Sequence, residues 1–171
     1  MELLIMKHQS GYALTLMLLL AGCGGGGGGD GSSGTTKLNL AISDAPVHSA
    51  LKVCIAVSSL RLKQEGVSTE TVWNHLDLIP TTSDDGCLPT GYTIPPDSNG
   101  NPEFLYIDLL KYQDGMKHTL LTNTSIPSGT YEQLRLMVED GQSHFLNDSV
   151  GVVTTHPTSY VKESGGTIFP L

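Results

Sequence analysis

"LKVCIAVSSLRL", residues 51–62, decides the fold class. Leu51, Val53, Ile55 and Val57 fall on odd positions, Leu60 and Leu62 on even ones. A period of two marks a strand that buries one face. The change of phase at Ser58–Ser59 is what one extra residue in a ladder produces, so a β-bulge is expected there. Cys54 falls on the face opposite Val53 and Ile55.

The same period recurs outward from this stretch. "KLNLAIS" (37–43) places Leu38, Leu40 and Ile42 on one face, and Pro46 in the following "DAP" cannot join a ladder interior. "FLYIDLL" (104–110) turns Leu105, Ile107 and Leu109 inward, and "HTLLT" is a short strand. "IPSGTYEQLRLMVED" (126–140) reads as a turn, then a strand with Leu134, Leu136 and Val138 inward. "TVWNHLDL" (71–78) is a weaker strand. Residues 79–103 carry Pro80, Pro89, Pro95, Pro96 and Pro102, a long loop of the kind that is functional or loosely ordered. No segment shows a helical stripe of twelve or more residues. The expectation is one all-β domain over 37–171, an antiparallel β-sandwich with one wet face per sheet. The chain stops at "SGGTIFPL", on an apolar run, so one or more C-terminal strands are expected to be missing, leaving an open edge.

"LTLMLLLAGCGGGGGGDGSSG" (14–34) sets the expected address. The apolar run Tyr12–Ala21 falls short of the roughly 20 residues a membrane span needs and suits the core of a secretory signal, with Lys7 as the positive charge before it. Glu2 is odd there, so Met6 is read as the start. "LAGC" (20–23) resembles the bacterial lipobox, which implies cleavage after residue 22 and lipid on Cys23. The competing reading, a buried helix with a chance cysteine, leaves the polyglycine unexplained. Residues 23–36 read as the lipidated cysteine and a flexible Gly/Ser tether, with an r.m.s. reach on the order of 20 Å. Acyl chains on Cys23 would hold the protein to a membrane. Gly24 rather than Asp follows the cysteine, which favours the outer membrane in a Gram-negative host.

The net charge is −8, and the losses of Glu2 and Lys7 cancel on cleavage. An acidic chain without a basic cluster is a poor nucleic-acid binder. Beyond Cys23, the remaining pair Cys54 and Cys87 in an oxidising compartment reads as a candidate disulfide, against two free thiols too far apart to bond. Such a bond would pin the 81–103 loop onto the outer side of the sheet. It would contribute roughly 3–4 kcal/mol in the chain-entropy account.

The search for chemistry finds no nucleophile elbow, zinc-protease helix or phosphate loop. His48, His75, His118, His144 and His156 are widely spread, and no cofactor is expected. Asp97, Asn99 and Asn101 stand at positions 1, 3 and 5 of a calcium loop with Asp108 at position 12. Position 6 is Pro102 where glycine is required, and "NG" is a hairpin turn, so a plain turn is the stronger reading. Trp73, the only tryptophan, is read as core packing, with a sugar-binding face shared with Tyr92 or Tyr106 as the alternative.

Three stretches together resemble one family. They are "LNLAISDAPVHSALKVCIAVSSLRL", "YIDLLKYQDGMKHTLLTNTSIPSGTYEQLRLMV" and "SGGTIFPL". They resemble the bacterial lipoprotein family that carries domain of unknown function 4382. The matching motifs are Ser43–Pro46, Asp108–Leu110 and Pro127–Tyr131. The resemblance implies an exported sandwich of transthyretin-like or carbohydrate-binding-like type and no established activity. The loop at 79–103 looks longer than the family's, and the family continues past its Phe-Pro-Leu segment. Asp44 is expected to cap the turn that ends at Pro46. Pro127 and Gly129 should shape a turn from which the Tyr131 hydroxyl bonds back to the chain. The functional expectation is a non-catalytic, lipid-anchored binding module of the cell envelope for glycan or protein. The alternatives are a structural envelope component and a hydrolase.

Overall fold

The computed structural model describes residues 16–17, 34–44, 49–80 and 82–171. Cys23, the glycine tract, Pro46 and all of the segment read as a signal except Leu16–Met17 lie outside the described residues.

Twelve strands are described, all of them paired antiparallel. They are β1 (Leu16–Met17), β2 (Thr35–Asp44), β3 (Ala50–Gln64), β4 (Glu70–Asn74), β5 (Tyr92–Thr93) and β6 (Leu105–Asp108). After them come β7 (His118–Pro127), β8 (Tyr131–Val138), β9 (Phe145–Asp148), β10 (Val153–Pro157), β11 (Tyr160–Glu163) and β12 (Ile168–Pro170). Short 3-10 turns cover His75–Asp77, Thr82–Gly86 and Leu109–Tyr112. The protein is all-β, an antiparallel β-sandwich with no closed barrel.

β3 is the spine. Val57 pairs with Leu105 of β6 and Val138 of β8, Ser59 with Asn74 of β4 and Met137 of β8, and Cys54 with Asp108 of β6 and Tyr160 of β11. One edge of β3 therefore carries β6 and then β4, and the other carries β11 and then β8. Each hand-over leaves backbone groups that no ladder reaches, and these must find partners. At the β8–β11 junction the hydroxyl of Ser159 supplies one. It accepts the Ala56 N–H at 3.0 Å and donates to the Glu139 carbonyl at 2.6 Å, while the Glu139 N–H reaches the Ala56 carbonyl at 2.8 Å.

The expected bulge is present: the register slips between Val57 and Ser59, so Ser58 is the extra residue. A second slip, opposite Lys162–Glu163, falls at Leu51. It throws Leu51 outward to 55% exposure, against the inward position that alternation assigns it. On β7 a slip at Leu120 lets the consecutive Leu120 and Leu121 both be buried. β2 begins two residues before the expected domain boundary, because Thr35 and Thr36 pair with Pro127 and Ile126 instead of extending the tether. β-branched threonine suits that extended backbone.

The main core lies between the β2–β7 layer (Leu40, Ile42, Leu120, Leu121) and the β3 sheet (Val53, Ile55, Val57, Leu60, Leu105, Ile107). Trp73 packs half-buried against it. The expectation of a wet outer face fails at β3 and β6. There Cys54, Ala56 and Tyr106 form a second core with Cys87, Phe104, Leu146 and Tyr160. The cover is the 79–103 loop and the small β5–β9–β10 sheet, so the centre of the molecule has three layers.

Candidate functional site

Cys54 and Cys87 are joined by a disulfide and are fully buried. The preceding turn is built for that approach. Asp84 and Asp85 hold left-handed backbone (φ 57° and 56°), which a carboxylate side chain tolerates better than most. The Asp84 carboxylate accepts the N–H groups of Gly86 and Leu88 at 3.1 and 3.0 Å. The Asp85 carboxylate is buried and takes the Asp108 N–H at 2.7 Å and the Lys111 ammonium at 2.9 Å. Asp108 accepts the N–H groups of Val53 and Leu110, both at 3.2 Å, and its burial pushes its carboxyl pKa up. These two buried carboxylates are taken up by backbone and lysine and line neither cleft described below.

The calcium arrangement is not assembled. Asp97 folds onto its own turn, accepting the N–H groups of Asn99 and Asn101 at 2.8 and 2.9 Å, and these bonds hold its pKa down. The turn closes as a small hairpin through the Pro96–Pro102 bridge. Asp108 stands at the far end of β6, three extended residues (about 10 Å) past Leu105, and its Oδ1 is already engaged. Among the described residues no group of three or more His, Cys, Asp or Glu could hold a metal ion.

The 127–131 segment is a closed turn. The Tyr131 hydroxyl donates to the Pro127 carbonyl, and Gly129 has a φ of 154°. A Cβ at Gly129 would lie 2.3 Å from the Gln64 amide nitrogen, which itself donates to the Ser128 carbonyl. Asp44, the last residue of β2, is buried, but the turn it was expected to cap lies outside the described residues.

Trp73 packs on the core as expected, and the alternative ring face with Tyr106 does not form. Tyr106 is fully buried in the second core. Tyr92 meets a different ring, that of His156, at 5.0 Å; His156 in turn lies 5.1 Å from Tyr160 at 85°. Tyr160 is anchored by its hydroxyl, 2.5 Å from the Cys87 carbonyl, and burial pushes its pKa up to about 12.

These rings border a cleft of about 560 Å³ between β5, β10, β12 and the turn after β8. Tyr92, Phe145, His156, Pro157, Ile168 and Pro170 supply flat or apolar surface, and Gln142 and Thr155 supply polar groups. The size falls within the range of ligand clefts. Its floor is rigid. Asp140 accepts the Gln142 N–H at 2.8 Å and the Ser143 hydroxyl at 2.5 Å. Gly141 donates to the Leu171 carbonyl at 2.9 Å, and Leu171 donates to the Ser159 carbonyl at 3.0 Å. Only glycine fits here, because a Cβ on Gly141 would lie 1.9 Å from the Ser159 carbonyl oxygen. A smaller cleft of about 280 Å³ is lined by His75, Leu76, Leu78, Asp84 and Phe104 among others.

Sequence reasoning singled out Tyr92 and missed the rest of the larger cleft. Its residues come from four separated segments, and no spacing along the chain marks them.

No curated protein and no solved structure matches the chain. A family model does: domain of unknown function (DUF4382) matches residues 35–168, from the first residue of β2 to the first residue of β12. The match covers both cores, the disulfide and the lining of the larger cleft except Pro170, and on it the chain belongs to the DUF4382 family.

Proposed function

We propose that this is a non-catalytic binding module of the cell envelope, held to a membrane by lipid on Cys23, which takes a glycan or protein segment into the cleft beside His156. The single observation that carries the reading is the cleft itself. It is of ligand size, is lined by rings and neutral hydrogen-bonding groups, and has a floor built on backbone contacts. Two buried, apolar-lined half-cystines support the exported address, since such bonds persist in oxidising compartments. Removal of residues 1–22 would also remove β1, which pairs with Ser43 and Asp44, and would free that end of β2.

The test is a thermal-shift screen of the full chain with envelope polysaccharides and peptides, with and without calcium. A ligand at 100 times its dissociation constant adds about 2.7 kcal/mol, several degrees for a domain of this size. Shifts abolished by Gln142→Trp, which puts a much bulkier side chain on the cleft lining, support the reading. A cooperative melt that no ligand moves favours a structural envelope role. Labelling with an alkyne fatty acid that is lost in Cys23→Ser checks the anchor.

A further inference from the structure

We propose that the cleft takes a neutral saccharide and that His156 reads it, accepting a sugar hydroxyl on Nε2. This rests on the cleft being the ligand site.

No carboxylate, ammonium or guanidinium lines the cleft; Lys162, outside the lining, acts on His156 from β11, so a charged ligand finds no counter-ion on the walls themselves. The chain as a whole, at −8, repels polyanions. What the lining offers is what an uncharged sugar ring uses: flat faces from Tyr92 and Phe145, and hydrogen-bonding groups on Gln142 and Thr155.

The tautomer of His156 follows from its own bond. Nδ1 lies 3.0 Å from the Pro157 carbonyl, which can only accept, so Nδ1 carries the proton. Nε2 is then a lone-pair acceptor. The Tyr92 and Tyr160 rings, with centroids 5.0 and 5.1 Å from that of the imidazole, pack against it and hold the ring before any ligand arrives. Burial pushes the pKa of this imidazole down, and Lys162, the charged group facing it from β11, pushes the same way. The phenols of Tyr92 and Tyr160 are the other titratable groups against it. The acceptor therefore persists through neutral pH. It is lost only below the ordinary imidazole value, when Nε2 gains a proton and becomes a donor.

The experiment is calorimetric titration of the full chain at pH 7.5 and pH 4.5. The probes are soluble neutral oligosaccharides (glucan, mannan and xylan series) and a polyuronate as the charged comparator. The variants are His156→Gln, which keeps a neutral acceptor that does not titrate, and Gln142→Trp. The expected result is binding of a neutral series at pH 7.5 that weakens as the pH falls, by roughly tenfold at full protonation of His156, because the bound hydroxyl must give up its donated bond, with His156→Gln indifferent to pH. Preference for the polyuronate, or neutral binding that His156→Gln leaves equally pH-dependent, overturns the inference and leaves the cleft reading standing. Saccharide binding that survives Gln142→Trp unchanged overturns the cleft reading itself. Absence of any saccharide binding overturns the inference and leaves the cleft to peptides.

Discussion

Replacing Ser159 by alanine should cost far more than an average hydroxyl deletion. The side chain is fully buried and stands where the edge of β3 passes from β8 to β11. Its Oγ is the acceptor for the Ala56 N–H at 3.0 Å, and Ala56 is itself fully buried. The N–H and carbonyl of one strand residue point to the same edge. The Ala56 carbonyl takes the Glu139 N–H, so the β6 side offers the Ala56 N–H nothing. Ser159→Ala thus leaves a buried donor without a partner, at about 1–3 kcal/mol. The Glu139 carbonyl also loses its 2.6 Å donor, but Glu139 is half-exposed and water can reach it, so this adds less. The sum is about 2–3 kcal/mol. A domain of about 135 residues unfolds with an entropy near 0.28 kcal/mol/K, which converts this to a melting point roughly 7–11 °C lower. Calorimetry reads it, and exchange of the Ala56 amide should accelerate in parallel. Ser164→Ala, which removes an exposed hydroxyl bonded to the Ser49 carbonyl at 3.2 Å, serves as the control and should shift stability by less than about 0.5 kcal/mol. A Ser159→Ala melt within about 1 °C of the parent would refute the reasoning, because the junction would then be satisfied some other way.

Further outcomes are expected. The double variant Cys54→Ala/Cys87→Ala releases a link with a sequence separation of 33 and should lose roughly 3–4 kcal/mol, with a larger urea m-value from the more expanded unfolded chain. Gly141→Ala drives a Cβ into the Ser159 carbonyl and should cost on the order of 3 kcal/mol or more; Gly129→Ala meets only the movable end of Gln64 and should cost about 1–2 kcal/mol, both read by chemical denaturation. Asp108→Asn keeps an acceptor for the N–H groups of Val53 and Leu110 without a buried charge. The folded carboxyl of Asp108 has its pKa raised above 3.8, so it binds its proton more tightly than the unfolded chain does. Its contribution is therefore full below the unfolded value and is lost as pH rises through the folded one. The variant should melt higher than the parent at pH 7, and the gap should close toward pH 3; an equal gap at both pH values would contradict it.

The sheet class was legible because β2, β3 and β8 carry alternations whose inward members, Leu51 and Leu62 of β3 apart, reach the main core or pack on it. The bulge at Ser58 was legible for the same reason, since a phase slip in the pattern is a slip in the ladder. The second core was missed although a signal existed. "VCIAV" (53–57) and "FLYI" (104–107) are unbroken apolar runs, the mark of a strand buried on both faces, and only their odd members were read. β9, β10 and β11 were not legible, because "FLND", "VTTHP" and "YVKE" are short and largely polar. Their buried residues, Leu146 and Tyr160, are set by contacts with Cys54 and Cys87 far along the chain. "HTLLT" read as a short strand, yet β7 runs ten residues, because Thr122–Pro127 pairs with β2 whatever its polarity. The cleft depends on these same polar strands, which is why its residues carried no pattern.

The disulfide couples the second core to the larger cleft. Cys87 enters the second core only as the partner of Cys54, and Tyr160, which braces His156, hangs its hydroxyl on the Cys87 carbonyl. With the bond reduced, the 79–103 loop has no covalent tie to β3. Closing the bond ties that loop to the sheet and, through the Tyr160 hydroxyl, links the second core to the imidazole that lines the larger cleft.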